Sequence, residues 1–380
     1  MKLVFISNYM NHHQQTLCCR LSSALGKGNF HFIATEPIAG ERTAMGYADL
    51  NSSADHIVRS YESTAAHATA LRLTADADAA IIGSSTDELT LARLSTGKLT
   101  MFYLERIFKQ PWRRFDPRVV RAVRKQYVNP ARNAGNIYLL SAGAYAAADL
   151  SLLGFPKERC LRWGYFPPVI GAGEELQRRG HNAVELLWAG RMLDWKHPGD
   201  APWLLDALVR HGVDARLTMI GEGACRAGAE ALVRKLGHES RATFLDFMTP
   251  MEVRRLMLGS DIYVFSSGSG EGWGAVLGEA MNSGCCVVAN SKAGATPYLV
   301  SDGVNGFVYD GSRRQLRRIA DVIAADLSVI ADTGRKACES ISRDWSPEAA
   351  ASRLLAVVGG ILDGAPRYPA SGPCSQHFKS

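Results

Sequence analysis

Residues 261–290 read DIYVFSSGSGEGWGAVLGEAMNSGCCVVAN. The run IYVFS at 262–266 is apolar, aromatic and β-branched, and predicts a strand. A loop of glycine and serine follows, carrying Glu271-Gly272-Trp273-Gly274. Residues 275–283 then have helical spacing, and CCVVA at 285–289 predicts a second strand. Strand, glycine loop, helix and strand in about thirty residues form a parallel βαβ unit. Open parallel sheets bind ligands beyond the carboxyl ends of their strands, which is where this loop lies.

The same alternation extends in both directions. Strands are expected at 185–189, 215–220 and 243–247, with helices at 203–211, 227–236 and 251–258. Nearer the N-terminus, strands are expected at 2–7, 30–34, 79–83, 99–104 and 137–141, with helices at 15–25 and 142–153. Between the halves, FPPVIGAG at 166–173 has prolines that lack amide donors and glycines that favour turns, and reads as a linker. The expected organisation is an N-terminal Rossmann-like domain over 1–166, a linker over 167–183, and a C-terminal Rossmann-like domain over 184–343. A closing helix over 344–363 and a loose tail over 364–380 complete it. The fold class is α/β, with two parallel-sheet domains facing a cleft.

Composition narrows the class. The chain has 380 residues, 47% hydrophobic and 21% charged, ordinary values for a globular protein. It has no run of ~18 apolar residues that would span a bilayer. MKLVFISNYM passes into polar NHHQQ without the apolar core of a signal peptide. The eight cysteines include no C-x-x-C pair, so reduced, buried thiols in a cytoplasmic protein are expected rather than a zinc site. Positive charge is concentrated. Between Arg106 and Asn133, nine basic residues stand against Asp116 alone, a local net charge of +8 in a chain of net +6. Phe108, Trp112, Phe115 and Tyr127 are interleaved with them, a composition suited to an anionic membrane surface. Nucleic acid is not expected, since no nucleic-acid module is evident and the rest of the chain is slightly acidic.

The chemistry-bearing residues follow strands. Glu271 and Glu279 are eight residues apart, up to ~12 Å along a helix, too far to act as one carboxylate dyad. They suit two parts of one elongated ligand, and the helix start between them exposes amides that suit phosphate. A nucleoside diphosphate-sugar has that layout. After the strand at 185–189 comes Gly190-Arg191-Met192-Leu193-Asp194-Trp195-Lys196, whose two cations can embrace a diphosphate and stabilise it as it departs. Gly221-Glu222-Gly223 follows the strand at 215–220. It lacks the third glycine of a dinucleotide fingerprint, Arg226 standing there, and reads equally as a turn or as a ligand contact.

These residues resemble the retaining glycosyltransferases of family 4, with the GT-B fold, of the type that builds bacterial cell-surface polysaccharide or glycolipid. The likeness lies in Gly190, Arg191 and Lys196; in the E-x7-E pair Glu271 and Glu279; in the turn Ala293-Gly294-Ala295-Thr296-Pro297; and in Asp302-Gly303-Val304-Asn305-Gly306-Phe307. The resemblance implies that the second domain binds the nucleotide-sugar and the first the acceptor; a UDP-sugar is the expected donor, with a GDP-sugar as the alternative. It implies that Arg191 and Lys196 contact the diphosphate and Glu271 the donor sugar. Gly272, Trp273 and Gly274 would approach sugar and phosphate, and Glu279 the ribose, with Gly221, Phe247 and Met248 near the base. It implies no metal and no cofactor beyond the co-substrate. The closing helix would run back toward the first domain.

The first half departs from the pattern. Residues 7–14 (SNYMNHHQ) are polar where the family commonly has glycines, so Asn8, His12 and His13 are candidates for an acceptor. Glu105 stands where members carry a histidine and is a candidate for positioning a sugar. The expected activity is retaining transfer of a sugar to a hydroxyl of a saccharide or lipid-linked acceptor, in the cytoplasm or on the inner face of the plasma membrane. The alternatives are a nucleotide-sugar epimerase of similar fold and a non-catalytic sugar-nucleotide-binding or membrane-docking protein.

Overall fold

A computed structural model describes residues 1–40, 43, 46, 48–169 and 183–378. Most of the expected linker, 170–182, lies outside the described residues. The chain divides into two compact units, Met1–Pro168 with Asp344–Ser380, and Val169–Arg343.

The first unit holds strands β1 (Leu3–Ser7), β2 (Phe30–Ala34), β3 (Ile57–Arg59), β4 (Ala79–Ile82), β5 (Leu99–Leu104), β6 (Ile137–Ala142) and β7 (Cys160–Trp163). They form one parallel sheet in the order β3-β2-β1-β4-β5-β6-β7. Leu3 aligns with Phe30 on one side and with Ala79 on the other, so the chain reverses its direction of travel across the sheet between β1 and β4. All five residues of β1 are buried, as a strand covered on both faces requires. The helix expected from residue 15 starts earlier, at His12, because the Asn11 side chain accepts from the amides of His13 and Gln14. His12 and His13 therefore stand in a first helical turn and not in a loop.

The tail differs from expectation. Cys374 and Ser375 are fully buried. The Cys374 amide donates to the Arg162 carbonyl, the Arg162 amide to Ser375, and the His377 amide to Cys160, each at 2.8 Å. A polar, glycine-containing segment thus covers the open edge of β7, and backbone pairing substitutes for the apolar pattern that would have announced it. The helix Pro347–Leu362 packs on His12–Leu25 in the same unit, with an Arg20–Glu348 ion pair at 2.7 Å.

The second unit holds β8 (Val184–Ala189), β9 (Ala215–Ile220), β10 (Ala242–Leu245), β11 (Ile262–Phe265), β12 (Cys286–Asn290) and β13 (Phe307–Tyr309), parallel and ordered β10-β9-β8-β11-β12-β13. Its core joins Leu186 and Trp188 of β8 to Val264 and Val288 of β11 and β12, and to Leu204, Leu205 and Leu316 of covering helices. The D-G-x-N-G-F segment is a structural clamp. Asn305 is buried, its amide group donating to the Leu299 carbonyl and Ser340 hydroxyl while its oxygen accepts from the Ser301 amide. A Cβ on Gly306 would lie 2.5 Å from Val287 Cγ2. Among the described residues no helix is long and apolar enough to cross a membrane.

Candidate active site

The strand order of the second sheet reverses between β8 and β11. At such a switch point the loops leaving adjacent strands diverge and open a crevice. Both loops singled out in the sequence, 190–198 and 266–274, leave from these two strands.

Their glycines explain how the loops fit together. A Cβ on Gly268 would lie 2.7 Å from His197 Nε2, and one on Gly270 would lie 3.2 Å from Trp195 ring atoms. The Gly268 amide donates to the Trp195 carbonyl at 2.8 Å. Ser266 is buried between them, accepting from the Trp188 indole at 2.8 Å and donating to the Lys196 carbonyl at 2.6 Å. His197 takes a left-handed backbone at φ 46°, an uncommon conformation for a residue with a side chain, and closes the short helical turn Asp194–Lys196. Lys196 is thereby turned onto Glu271. Lys196 Nζ and Glu271 Oε2 form a hydrogen-bonded ion pair whose two side chains are about 16% and 15% exposed. The ammonium also lies 4.6 Å from the centroid of the Trp195 ring.

Gly221-Glu222-Gly223 supports the other flank. Gly221 has φ +121°, and a Cβ there would lie 2.2 Å from the Gly190 carbonyl oxygen. Gly223 has φ +144°, and its Cβ would lie 2.5 Å from the Met192 oxygen. The Met192 amide donates to the Glu222 carbonyl at 2.7 Å, and the Cys225 amide returns to the Met192 carbonyl at 2.8 Å. These glycines let two loop backbones touch, which fixes Gly190 and leaves Arg191 exposed. Arg226, at the place of the absent third glycine, bonds Glu230 at 3.0 Å and Asp246 at 2.7 Å.

The remaining expected residues are distributed as follows. Gly274 has φ +97°, and a Cβ there would meet Phe265 Cζ at 2.3 Å. It caps the helix Ala275–Asn282, and Glu279 is half-buried on that helix. Gly272 is buried. Trp273 is 1% exposed and packs toward Tyr298, so its indole is a core group and only its backbone remains for a ligand. Phe247 is exposed and Met248 half-buried, just past β10.

Sequence reasoning missed the residues beneath the loops. Tyr263 donates to the Ala189 carbonyl at 3.0 Å, and burial raises its phenol pKa. Asn290 donates to the Ser266 carbonyl at 3.2 Å. Tyr309 donates to Asp200 at 2.6 Å, and burial raises that carboxyl above its ordinary range. The available signal was a polar residue closing an apolar run, as Ser266 closes IYVF and Asn290 closes CVVA.

In the first unit the candidates gather at strand ends too. Glu105 follows β5 and accepts from the Tyr165 hydroxyl at 2.5 Å, with Lys109 Nζ at 3.3 Å from its other oxygen. The His13 ring stacks on Tyr165 with centroids 5.5 Å apart, and its own neighbour His12 lies 3.7 Å away. Asn8, just past β1, accepts from the Ser7 hydroxyl through its side chain at 3.2 Å. Burial pushes the Tyr165 phenol up, so it stays a donor. Tyr165 had no sequence signal, because it stands 60 residues from the glutamate it holds.

Comparison with known proteins places this geometry. Residues 177–331 match the family described as Glycosyl transferases group 1. The matched stretch covers most of the second unit. Spore coat protein SA of Bacillus subtilis (strain 168) is 24% identical over 156 residues, which are 38% of this chain and 41% of that protein. The chain thus matches about two fifths of the length of that curated relative. Among solved structures, HepE of Anabaena in complex with UDP is similar over 95% of this chain and 100% of that one, with TM-score 0.67 and 17% identity. WaaG, a glycosyltransferase involved in lipopolysaccharide biosynthesis, is similar over 92% and 98%, with TM-score 0.54 and 16% identity. The fold they share with this chain is the GT-B type, two Rossmann-like parallel-sheet domains.

Proposed function

We propose that the protein is a retaining glycosyltransferase of the family 4 type. It moves a sugar from a UDP-sugar to a hydroxyl of a saccharide or lipid-linked acceptor in cell-surface polysaccharide or glycolipid synthesis, on the cytoplasmic side of the membrane. The observation that carries this reading is the sheltered Lys196–Glu271 pair at the switch point of the second sheet, within the stretch similar to group 1 glycosyltransferases. Pairing holds both side chains in place while the ligand is absent, so neither must be ordered when the donor arrives.

In the proposed reaction Glu271 accepts from hydroxyls of the donor sugar. Lys196, held beside Glu271, faces the diphosphate with Arg191 and offsets the charge that develops as the sugar–oxygen bond breaks. Amides at 272–274 and the start of the helix Ala275–Asn282 face phosphate, and Glu279 takes the ribose. The acceptor hydroxyl attacks from the face the diphosphate leaves, passing its proton to a diphosphate oxygen, so the anomeric configuration is kept. Two cations on the chain supply the charge a divalent metal would otherwise supply, so no metal or cofactor takes part. Glu105, set by Tyr165, orients the acceptor together with Asn8, His12 and His13.

The test is UDP release from UDP-sugars, with and without added saccharides, and the product's anomeric configuration by NMR. Lys196→Ala is expected to lower turnover ~10²–10³-fold with the thermal midpoint nearly unchanged. Turnover unaffected by EDTA is expected. A folded Lys196→Ala variant with near-normal turnover would refute the role of Lys196. A new sugar nucleotide formed without acceptor would replace transfer by epimerisation.

A further inference from the structure

We infer that Trp195 is a specificity-determining residue, its indole forming a wall for the sugar of the nucleotide-sugar; the inference rests on the donor reading proposed above. Trp195 lies in the short helical turn Asp194–Lys196, in the loop that leaves β8 at the switch point. Its ring is held between the two loops of the site. From one side Lys196 Nζ stands 4.6 Å from the ring centroid, and the same ammonium bonds Glu271. From the other, a Cβ on Gly270 would lie 3.2 Å from Trp195 Cβ, Cδ2 and Cε3. Gly270 directly precedes Glu271, whose amide donates to the Gly268 carbonyl at 3.0 Å, while the Gly268 amide donates to the Trp195 carbonyl at 2.8 Å. Ring, ammonium and carboxylate thus share one tight corner.

The ring is not a core group. The hydrophobic core of the second unit takes in Trp188, and Trp203 packs on its margin, but Trp195 belongs to neither set. Trp195 is half-buried. The Trp188 indole spends its N–H on Ser266. Among the described residues the Trp195 N–H makes no hydrogen bond, and it is not sealed from solvent. Gly270 meets the ring along Cδ2 and Cε3, the edge opposite Nε1, so the N–H edge stays clear of that loop. An indole placed this way offers an apolar body and a polar tip to one ligand. A pyranose matches it, with C–H groups to rest on the ring and hydroxyls to accept from the N–H. A phosphate does not, because the face of the ring is negative: it attracts the Lys196 ammonium and repels an anion. The sugar should therefore add affinity to that of UDP, and the added part should depend on Trp195.

The experiment is isothermal titration of the natural full chain, Trp195→Leu and Trp195→Phe with UDP, UDP-glucose, UDP-galactose and UDP-N-acetylglucosamine. The natural chain is expected to bind at least one of the sugar nucleotides more tightly than UDP. Trp195→Leu is expected to weaken that sugar nucleotide about tenfold, with UDP affinity within about twofold and the thermal midpoint nearly unchanged. Trp195→Phe keeps a ring against Gly270 and loses the N–H; a loss of about threefold, again confined to the sugar nucleotide, is expected. Equal weakening of UDP and its sugar nucleotides would make the ring a prop for Lys196 and overturn the inference. So would unchanged affinities in both variants, or a natural chain to which the sugar adds nothing. In those cases the donor reading survives. A natural chain that binds none of the four nucleotides fails the donor reading itself, and this inference with it. None of these readouts depends on sugar transfer.

Discussion

The two sheets share a strand order up to their switch points, β3-β2-β1-β4 in one and β10-β9-β8-β11 in the other, yet they hold their functional edges by different means. In the second unit, backbone presses on backbone. Gly221 against Gly190 and Gly223 against Met192 leave no room for a Cβ, and Gly274 against Phe265 leaves none beside a buried ring. In the first unit, side chain holds side chain. Tyr165 reaches Glu105, Lys109 flanks it, and His13 stacks on the tyrosine. In the proposed function the rigid edge takes a donor common to many reactions, and the edge that side-chain exchange can remodel takes an acceptor that differs between them.

The largest expected effect tests that contrast. Gly221→Ala meets a backbone oxygen at 2.2 Å and a φ of +121°, both of which resist adjustment. A loss of ~2–5 kcal/mol in stability is expected, with loss of UDP binding as the Arg191 loop shifts. Gly83→Ala, at the corresponding edge of the first sheet, meets its nearest atoms at 3.3 Å with no positive φ. Its cost is expected below ~1 kcal/mol. Urea denaturation of the two variants decides the matter, and equal costs would break the distinction.

A smaller effect is expected where side chains do the holding. Tyr165→Phe removes the hydroxyl that donates to Glu105 at 2.5 Å and keeps the ring against His13. The acceptor KM is expected to rise about tenfold, in keeping with one charge-assisted hydrogen bond, while donor affinity stays put. An equal change in donor and acceptor constants would place Tyr165 outside acceptor positioning.

The contrast also explains what could be read beforehand. Expected strands and observed ones agree within about two residues at β2, β5, β9 and β11, which are apolar runs buried in their sheets. The three strands absent from the reading, β3, β7 and β13, have three or four residues and are the outermost members of their sheets' strand orders. Such strands are specified by a neighbour's free edge more than by their own pattern. The tail over β7 is the extreme case, since it pairs with Cys160 and Arg162 through backbone hydrogen bonds that no side-chain pattern announces. At the site, glycines cluster in sequence because they cluster in space, so the loops of the second unit were legible. The pairing of Lys196 with Glu271 across 75 residues was not, and neither was the reach of Tyr165 to Glu105.

The smallest expected effect concerns the G-x-G at Gly221 and Gly223. Arg226→Gly completes the spacing of a dinucleotide fingerprint, G-x-G-x-x-G. In such a fingerprint the glycines leave room for a pyrophosphate to approach the backbone. Here that room is already taken, at Gly221 by the Gly190 carbonyl and at Gly223 by the Met192 carbonyl. The glycines serve a contact between loops, and adding a third cannot vacate it. No affinity for NAD is expected from the variant, and UDP affinity is expected to stay within about twofold of the natural chain. Isothermal titration with both nucleotides checks this. A gain of NAD binding would mean that the two loops separate readily, and with that the rigid edge of the second unit would lose its distinction from the first.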